Sequence, residues 1–295
     1  MKRFFILLCM ISLVYWSSVP AGEFFDDFNY RSADDPLLDA HGWTVVDGRN
    51  APPAGAVYSR ALIRFALAQP GSDNRIMILG ARTDGQIENI ELSRIENRPV
   101  FREGTYAAQL FFDHALRRTL DGNVQTFYLI SPFCSGSDSL YSECDAEYLP
   151  CDVWSGPESR QGALHFTTWE IFRERPFKED KVSTLLPMPM PGWHILIIRI
   201  AGGRVAYYLD KSTEPSAVHE FSRAGSTVYP ESFMHLNFAN WLTSTSPDFT
   251  WRRESSFKVD WVYHAEDTVL VYSEIMKRVD SLRANSLFYA NDLHR

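Results

Sequence analysis

Apolar and polar residues alternate along most of this chain in short runs, and Gly, Pro, Asp or Asn separates one run from the next. A period of two marks a β-strand with one buried face. Such runs occupy 23–30, 57–67, 75–81, 87–95, 104–112 and 124–133, with a shorter one at Trp43-Thr44-Val45-Val46. They continue at 142–149, 163–172, 193–200, 204–209, 233–241 and 257–263, and Gly202-Gly203 predicts a hairpin turn between two of them. Residues 31–56, 150–162 and 212–232 read as loops, and 173–191, with four prolines and mixed charges, as a long excursion. Beyond 266 the period changes. Val269, Tyr272, Ile275, Met276, Val279 and Leu282 fall at helical spacing, and Glu274 and Arg278 form an i,i+4 pair. The pattern therefore predicts an all-β domain of two packed antiparallel sheets over 22–266. A helical extension over 267–295, with its helix at 267–290, packs back on it. No internal repeat is visible.

One run departs from ordinary alternation. Glu143, Asp145 and Glu147 sit at i, i+2 and i+4, so a strand sends all three carboxylates to one face. Cys144, Ala146 and Tyr148 take the other face and suit a core. A solvated sheet face tolerates acids, but the neighbouring runs are apolar and aromatic, which places this strand centrally. No Lys or Arg is interleaved to neutralise it. Like charges so close raise one another's pKa and cost stability, which points to a functional site.

Composition narrows the function classes. A hydrophobic fraction of 45% and an aromatic fraction of 14% exclude general disorder. The net charge of −8, without a basic stripe, argues against a nucleic-acid partner and towards neutral over anionic polymers. Lys2-Arg3, the apolar run Phe4–Trp16 and Val19-Pro20-Ala21 read as a signal peptide over 1–21. The expectation is a secreted or periplasmic, monomeric protein with no membrane association after cleavage. Cys134, Cys144 and Cys151 then remain, and a Cys134–Cys144 bridge is one possible pairing. Neither a zinc-type Cys-x-x-Cys nor a Gly-x-Ser-x-Gly elbow is present.

Ser142-Glu143-Cys144-Asp145-Ala146-Glu147-Tyr148-Leu149 resembles the signature strand of glycoside hydrolase family 16: Glu, aliphatic, Asp, apolar, Glu, then an aromatic and Leu. The form without an extra residue before the last Glu is similar to the lichenase and xyloglucan branches. Residues 103–110, 123–129 and 257–263 resemble flanking and closing strands of that family, so the similarity spans roughly 23–266. Cys144, Ala146, Pro150 and Gln109 depart from the residues usual there.

The resemblance implies a concanavalin A-like β-jelly roll of two curved antiparallel sheets. It implies Glu143 as nucleophile, Glu147 as general acid/base, and Asp145 between them, its charge helping to keep Glu147 protonated. Tyr128, Trp154, His165, Trp169, Asn237 and Trp241 are the candidate sugar contacts, Trp faces stacking on pyranose rings and His and Asn bonding hydroxyls. No cofactor is required, and a structural calcium with Asp26, Asp27 and Asp260 as ligands is the one metal implied. Retaining chemistry needs carboxyls about 5–5.5 Å apart, whereas i and i+4 Cα atoms lie roughly 13 Å apart on a strand. The sheet must therefore curve. The expected function is a retaining endo-glycoside hydrolase of β-linked polysaccharide, β-glucan first. A transglycosylase of the same fold and a non-catalytic carbohydrate-binding protein are the alternatives.

Overall fold

The structure is a computed structural model of the 295-residue chain and describes residues 22–48, 50–114, 122–132, 140–156, 161–174, 176–243 and 252–293. The expected leader at 1–21 and Cys134 lie outside the described residues. The first strands are β1 (Glu23–Asp26), β2 (Trp43–Val45), β3 (Asn50–Ala51), β4 (Ala56–Tyr58), β5 (Ile63–Leu67) and β6 (Arg75–Thr83). They continue with β7 (Glu91–Asn97), β8 (Gly104–Phe112), β9 (Asn123–Ile130), β10 (Glu143–Leu149), β11 (Ala163–Glu174) and β12 (Phe177–Leu186). The last are β13 (Gly192–Ala201), β14 (Arg204–Leu209), β15 (Ala217–His219), β16 (His235–Leu242), β17 (Arg253–Glu266) and β18 (Tyr289–Asn291). The helices are α1 (Pro36–Ala40) and α2 (Tyr272–Ala284).

These strands build two stacked antiparallel sheets. The inner sheet runs β2-β7-β16-β9-β10-β11-β12, which puts the carboxylate strand β10 between two partners. The outer sheet runs β5-β6-β17-β8-β13-β14-β15, with β1 and then β18 extending it beside the second half of β17. At one edge β7 also meets β6 and, in parallel, β4, and this joins the sheets. The expected jelly-roll architecture is the one observed. The predicted alternation sorts residues as it should: Cys144, Ala146 and Tyr148 are fully buried between the sheets with Phe127, Phe166, Leu236 and Phe238. Phe127 and Phe238 stack 5.2 Å apart, a contact worth about 0.5–1.5 kcal/mol beyond burial. β8 enters the sandwich at Gly104, with φ +128°. A Cβ there would lie 2.1 Å from the Ala265 carbonyl oxygen, so only glycine lets the two strands approach.

Several expected boundaries move. Residues 173–191 are not a loop: the chain turns after β11 and returns as β12, the inner sheet's edge strand. Its charged side chains hid it, since an edge strand half in solvent needs few apolar residues. The run 57–67 divides into β4 and β5 around a short 3-10 turn at Arg60–Leu62, and a second such turn at Ile87–Asn89 delays β7. The loop 212–232 contains β15. The predicted helix 267–290 shortens to α2, and its last residues become β18, paired to β1. Cys144 is a buried free thiol, and its possible partner Cys134 lies outside the described residues. Among the described residues no helix is long and apolar enough to cross a membrane.

Helix α2 packs back on the solvent side of the outer sheet as its spacing predicts. Ile275 and Val279 are buried there against Ile195, Ile197, Trp261 and Tyr263. Its last turn carries Arg283, whose Nε donates to Asp27 Oδ1 at 2.8 Å and whose Nη2 donates to Asp260 Oδ1 at 2.9 Å. This bears on the three aspartates expected as calcium ligands. Asp27 and Asp260 do come together, but a guanidinium lies between them. Asp26 turns away and accepts from Phe28 N, Tyr30 OH and Trp43 Nε1. Among the described residues no group of three His, Cys, Asp or Glu side chains is placed to hold a metal, so these aspartates do not fit one.

Burial pushes Asp27 up to about 6 even with Arg283 beside it. Its folded pKa exceeds the unfolded value, so its ionisation opposes folding as pH rises from about 4 to about 6. Replacing Arg283 by Met strands that charge, and we expect a loss of about 3 kcal/mol in urea unfolding. The loss should be larger at pH 8 than at pH 5, because at pH 5 the stranded carboxyl keeps its proton. Asp27→Asn in the Arg283→Met background should recover part of it.

Candidate active site

The register of the inner sheet fixes what lies beside each carboxylate. Across from Glu143 stand Trp169 on β11 and Ile130 on β9. Across from Asp145 stand Thr167 and Tyr128, and across from Glu147 stand His165 and Thr126. Residues directly opposite share a face and lie about 4.5–5.5 Å apart at Cβ. The three acids are therefore the centre of one concave surface. A hollow of about 240 Å³ opens over it, lined by the three carboxylates, Thr126, Tyr128 and Trp241, and closed by Pro52, Tyr58 and Arg94.

The three carboxyls have different partners. Glu143 accepts a hydrogen bond from Tyr141 OH, and it shares one with Asp145. Asp145 accepts from Trp169 Nε1 at 2.8 Å, and it is the most buried of the three. Glu147 is half-buried and, among the described residues, has neither kind of donor. Two cations flank the row. Arg94, on β7, donates to Asn237 Oδ1 and, at 2.7 Å, to Glu96 Oε2. Lys181, on β12, rests over the Trp169 ring with its Nζ 4.0 Å from the centroid.

These environments separate the protons. Burial raises Glu143 to about 7, held back by the Tyr141 and Asp145 hydrogen bonds and by the charges of Arg94 and Lys181. Burial raises Glu147 to about 8, with Glu143's charge adding to it. Burial and the charges of Glu143 and Glu147 push Asp145 far above the carboxylate range. Asp145 thus keeps its proton and donates it in the hydrogen bond to Glu143. The charge that raises Glu147 is that of Glu143. The trio titrates as one coupled system.

The candidate contacts divide into three groups. Tyr128 and Trp241 line the hollow. Trp154, 42% exposed, stands beside Trp241 with centroids 6.0 Å apart and meets His165 edge-on at 5.0 Å, so these three rings form one aromatic wall at the Glu147 end. His165 is tied to Asp152 through Nε2 at 2.9 Å. Trp169 and Asn237 are engaged elsewhere: the Trp169 indole is spent on Asp145, and Asn237, fully buried, holds Arg94 and donates to the His235 carbonyl oxygen. They position the cleft rather than offer free groups to it. Sequence reasoning missed Arg94, Tyr58, Thr126 and Lys181. A lone Arg on the polar face of Ser93-Arg94-Ile95 was the available signal for the first. Lys181 lay in the supposed loop.

No family model and no curated protein matches this sequence. Solved structures do resemble it. A prokaryotic β-1,3-1,4-glucanase (lichenase) derived from a mouse hindgut metagenome aligns with a TM-score of 0.55 and 14% identity, over 82% of this chain and 98% of that one. A glycoside hydrolase family 16 endo-glucanase from Bacteroides ovatus gives 0.60 and 14%, over 81% and 98%. A laminarinase from Flavobacterium sp. UMI-01 gives 0.55 and 13%, over 82% and 98%. At these identities the likeness establishes the fold.

Two substitutions probe the proton arrangement. Tyr141→Phe removes a donor to the Glu143 carboxylate, so the Glu143 carboxyl should titrate higher when followed by carbon-13 NMR. Asp145→Asn preserves both hydrogen bonds of a protonated Asp145, so Glu143 should titrate nearly as before. A clear drop of Glu143 in Asp145→Asn would mean that Asp145 carries a charge in the folded protein.

Proposed function

We propose that this protein is a secreted retaining glycoside hydrolase of family 16 that cleaves a neutral β-linked glucan within the chain. The observation that carries the reading is the unequal pair at i and i+4: both are buried and near Lys181, but Glu143 has in addition a hydroxyl donor, a protonated neighbour and Arg94 to favour its charge, whereas Glu147 has the charge of Glu143 to favour its proton. Two carboxyls of opposite protonation across one hollow are what double displacement at an acetal requires. The signature strand supports the family, and the fold agrees with it. The leader pattern supports secretion.

In the reaction, Glu143 attacks the anomeric carbon as the glycosidic bond breaks, and Glu147 passes its proton to the departing oxygen. Asp145, by donating to Glu143, aligns the attacking carboxylate. Once Glu143 is esterified its charge is gone, so the pKa of Glu147 falls and Glu147 can accept a proton from water. The attack of that water frees the sugar with its configuration retained. An internal cut needs floor on both sides of the acids. β9, β16 and β7 supply it on one side, and β11 and β12 on the other, where Thr167 and Ser183 pair their hydroxyls at 3.2 Å.

Release of reducing sugar from mixed-linkage glucan and laminarin, with proton NMR of the first anomer formed, tests this directly. Glu143→Gln should fall to background, and Glu147→Gln should lose about 10²- to 10⁴-fold. An active Glu143→Gln enzyme, or an inverted first product, would overturn the assignment. Because one group must be ionised and the other protonated, kcat/KM should follow a narrow bell with apparent limbs at about 7 and about 8.

A further inference from the structure

Reading across the inner sheet through Glu147, the register aligns His165 on β11, Glu147 on β10, Thr126 on β9, Ala239 on β16 and Arg94 on β7. Thr126 and Ala239 are the small members of that row, so the floor is lowest there. Trp241 rises on one side of the low point and Tyr128 on the other. At the bottom, Thr126 is 2% exposed, and its Oγ1 makes no hydrogen bond to any described residue. A buried hydroxyl without a partner works against the fold, and native proteins keep few of them. A valine would fill the same volume without that cost. The hydroxyl can both donate and accept, which is what a sugar hydroxyl also does.

We propose that Thr126 is a substrate contact: its Oγ1 bonds a hydroxyl of the sugar unit that sits between Glu147 and Arg94, and the subsite selects an unsubstituted neutral pyranose. The proposal rests on the carbohydrate reading of the cleft given above. Thr126 is the cross-strand neighbour of Glu147, so the ring it reads adjoins the bond that Glu147 serves. Trp241 and Tyr128 flank the hollow on either side of that ring. The carboxylate row repels a sulfate or uronic acid, and the Arg94 charge that could welcome one is already paired with Glu96.

The test is calorimetric titration of a mixed-linkage β-glucan tetrasaccharide into Glu143→Gln protein, in which turnover is stopped. Adding Thr126→Val should weaken binding about tenfold, which is about 1.4 kcal/mol. Adding Thr126→Ser, which restores the hydroxyl, should stay within about twofold of the parent. The Thr126→Val melting midpoint should not fall, since an unpartnered hydroxyl has been exchanged for a methyl. Unchanged affinity in Thr126→Val overturns this inference alone and leaves the glucanase reading standing. Equal losses in Val and Ser, or a lowered midpoint, overturn it in favour of a packing role. Tighter binding of a sulfated or uronic oligosaccharide overturns the neutral class. A Glu143→Gln protein that binds no β-glucan oligosaccharide overturns the glucanase reading, and this inference falls with it.

Discussion

The constraint on which the rest of the structure depends is the removal of three carboxylates from water on a single strand. β10 has a hydrogen-bonded neighbour on each edge, and its opposite face is buried against the outer sheet. No part of it can move towards solvent to relieve the crowding. Two unit charges at 4 Å interact by about 4 kcal/mol at an effective dielectric of 20, so three full charges are not sustained there. A proton stays on Asp145 and another on Glu147, while Arg94 and Lys181 flank the remaining charge. The site's chemistry follows from how this cost is distributed.

Chemically identical glutamates become different acids because each row of the sheet brings different neighbours. One end of the row has Tyr141, whose hydroxyl donates to Glu143 and favours an anion there. The other has Thr126 and the Trp154–His165–Trp241 wall, which offers a ring surface and no free cation among the described residues. A curved, closely packed sheet holds these rows in register, and α2, the Arg283 clamp and β18 brace the outer sheet behind it. Precision at the acids therefore depends on contacts far from the cleft.

Much of this was legible in the residues. The period-two runs, the hairpin at Gly202-Gly203 and the switch to helical spacing after 266 report burial of one face, and burial is what alternation encodes. The face shared by Glu143, Asp145 and Glu147 follows from the same parity, as do His165 with Trp169 and Asn237 with Trp241. What stayed hidden depends on pairing between distant strands. That Trp169 would spend its indole on Asp145, or that Asn237 would be occupied by Arg94, requires the order of β7, β16, β9, β10 and β11, which no local pattern states. β12 was invisible because an edge strand half in solvent keeps charge on both faces. The pairing of Asp27 and Asp260 with Arg283 was hidden because Arg283 arrives from the far end of the chain.

The core beneath β10 carries a buried polar network. Cys144 and Ala146 are smaller than the aliphatics usual in the resembling pattern. Tyr207 from the outer sheet fills the space, stacking on Phe166 at 4.8 Å. Its hydroxyl lies 2.7 Å from Thr168 Oγ1 and donates to the Thr167 carbonyl oxygen at 2.9 Å. His219 completes the belt through Nδ1 to Thr168 and Nε2 to Thr184. Burial holds its pKa down at about 4, so the ring enters the core neutral. Each member of this polar belt is satisfied by another, which a buried network must achieve to be tolerated. These positions depend on one another, since any one of these groups alone would be an unpaired polar atom in a core. This belt lies under the face of β10 opposite the carboxylates, so it holds in place the strand that carries them.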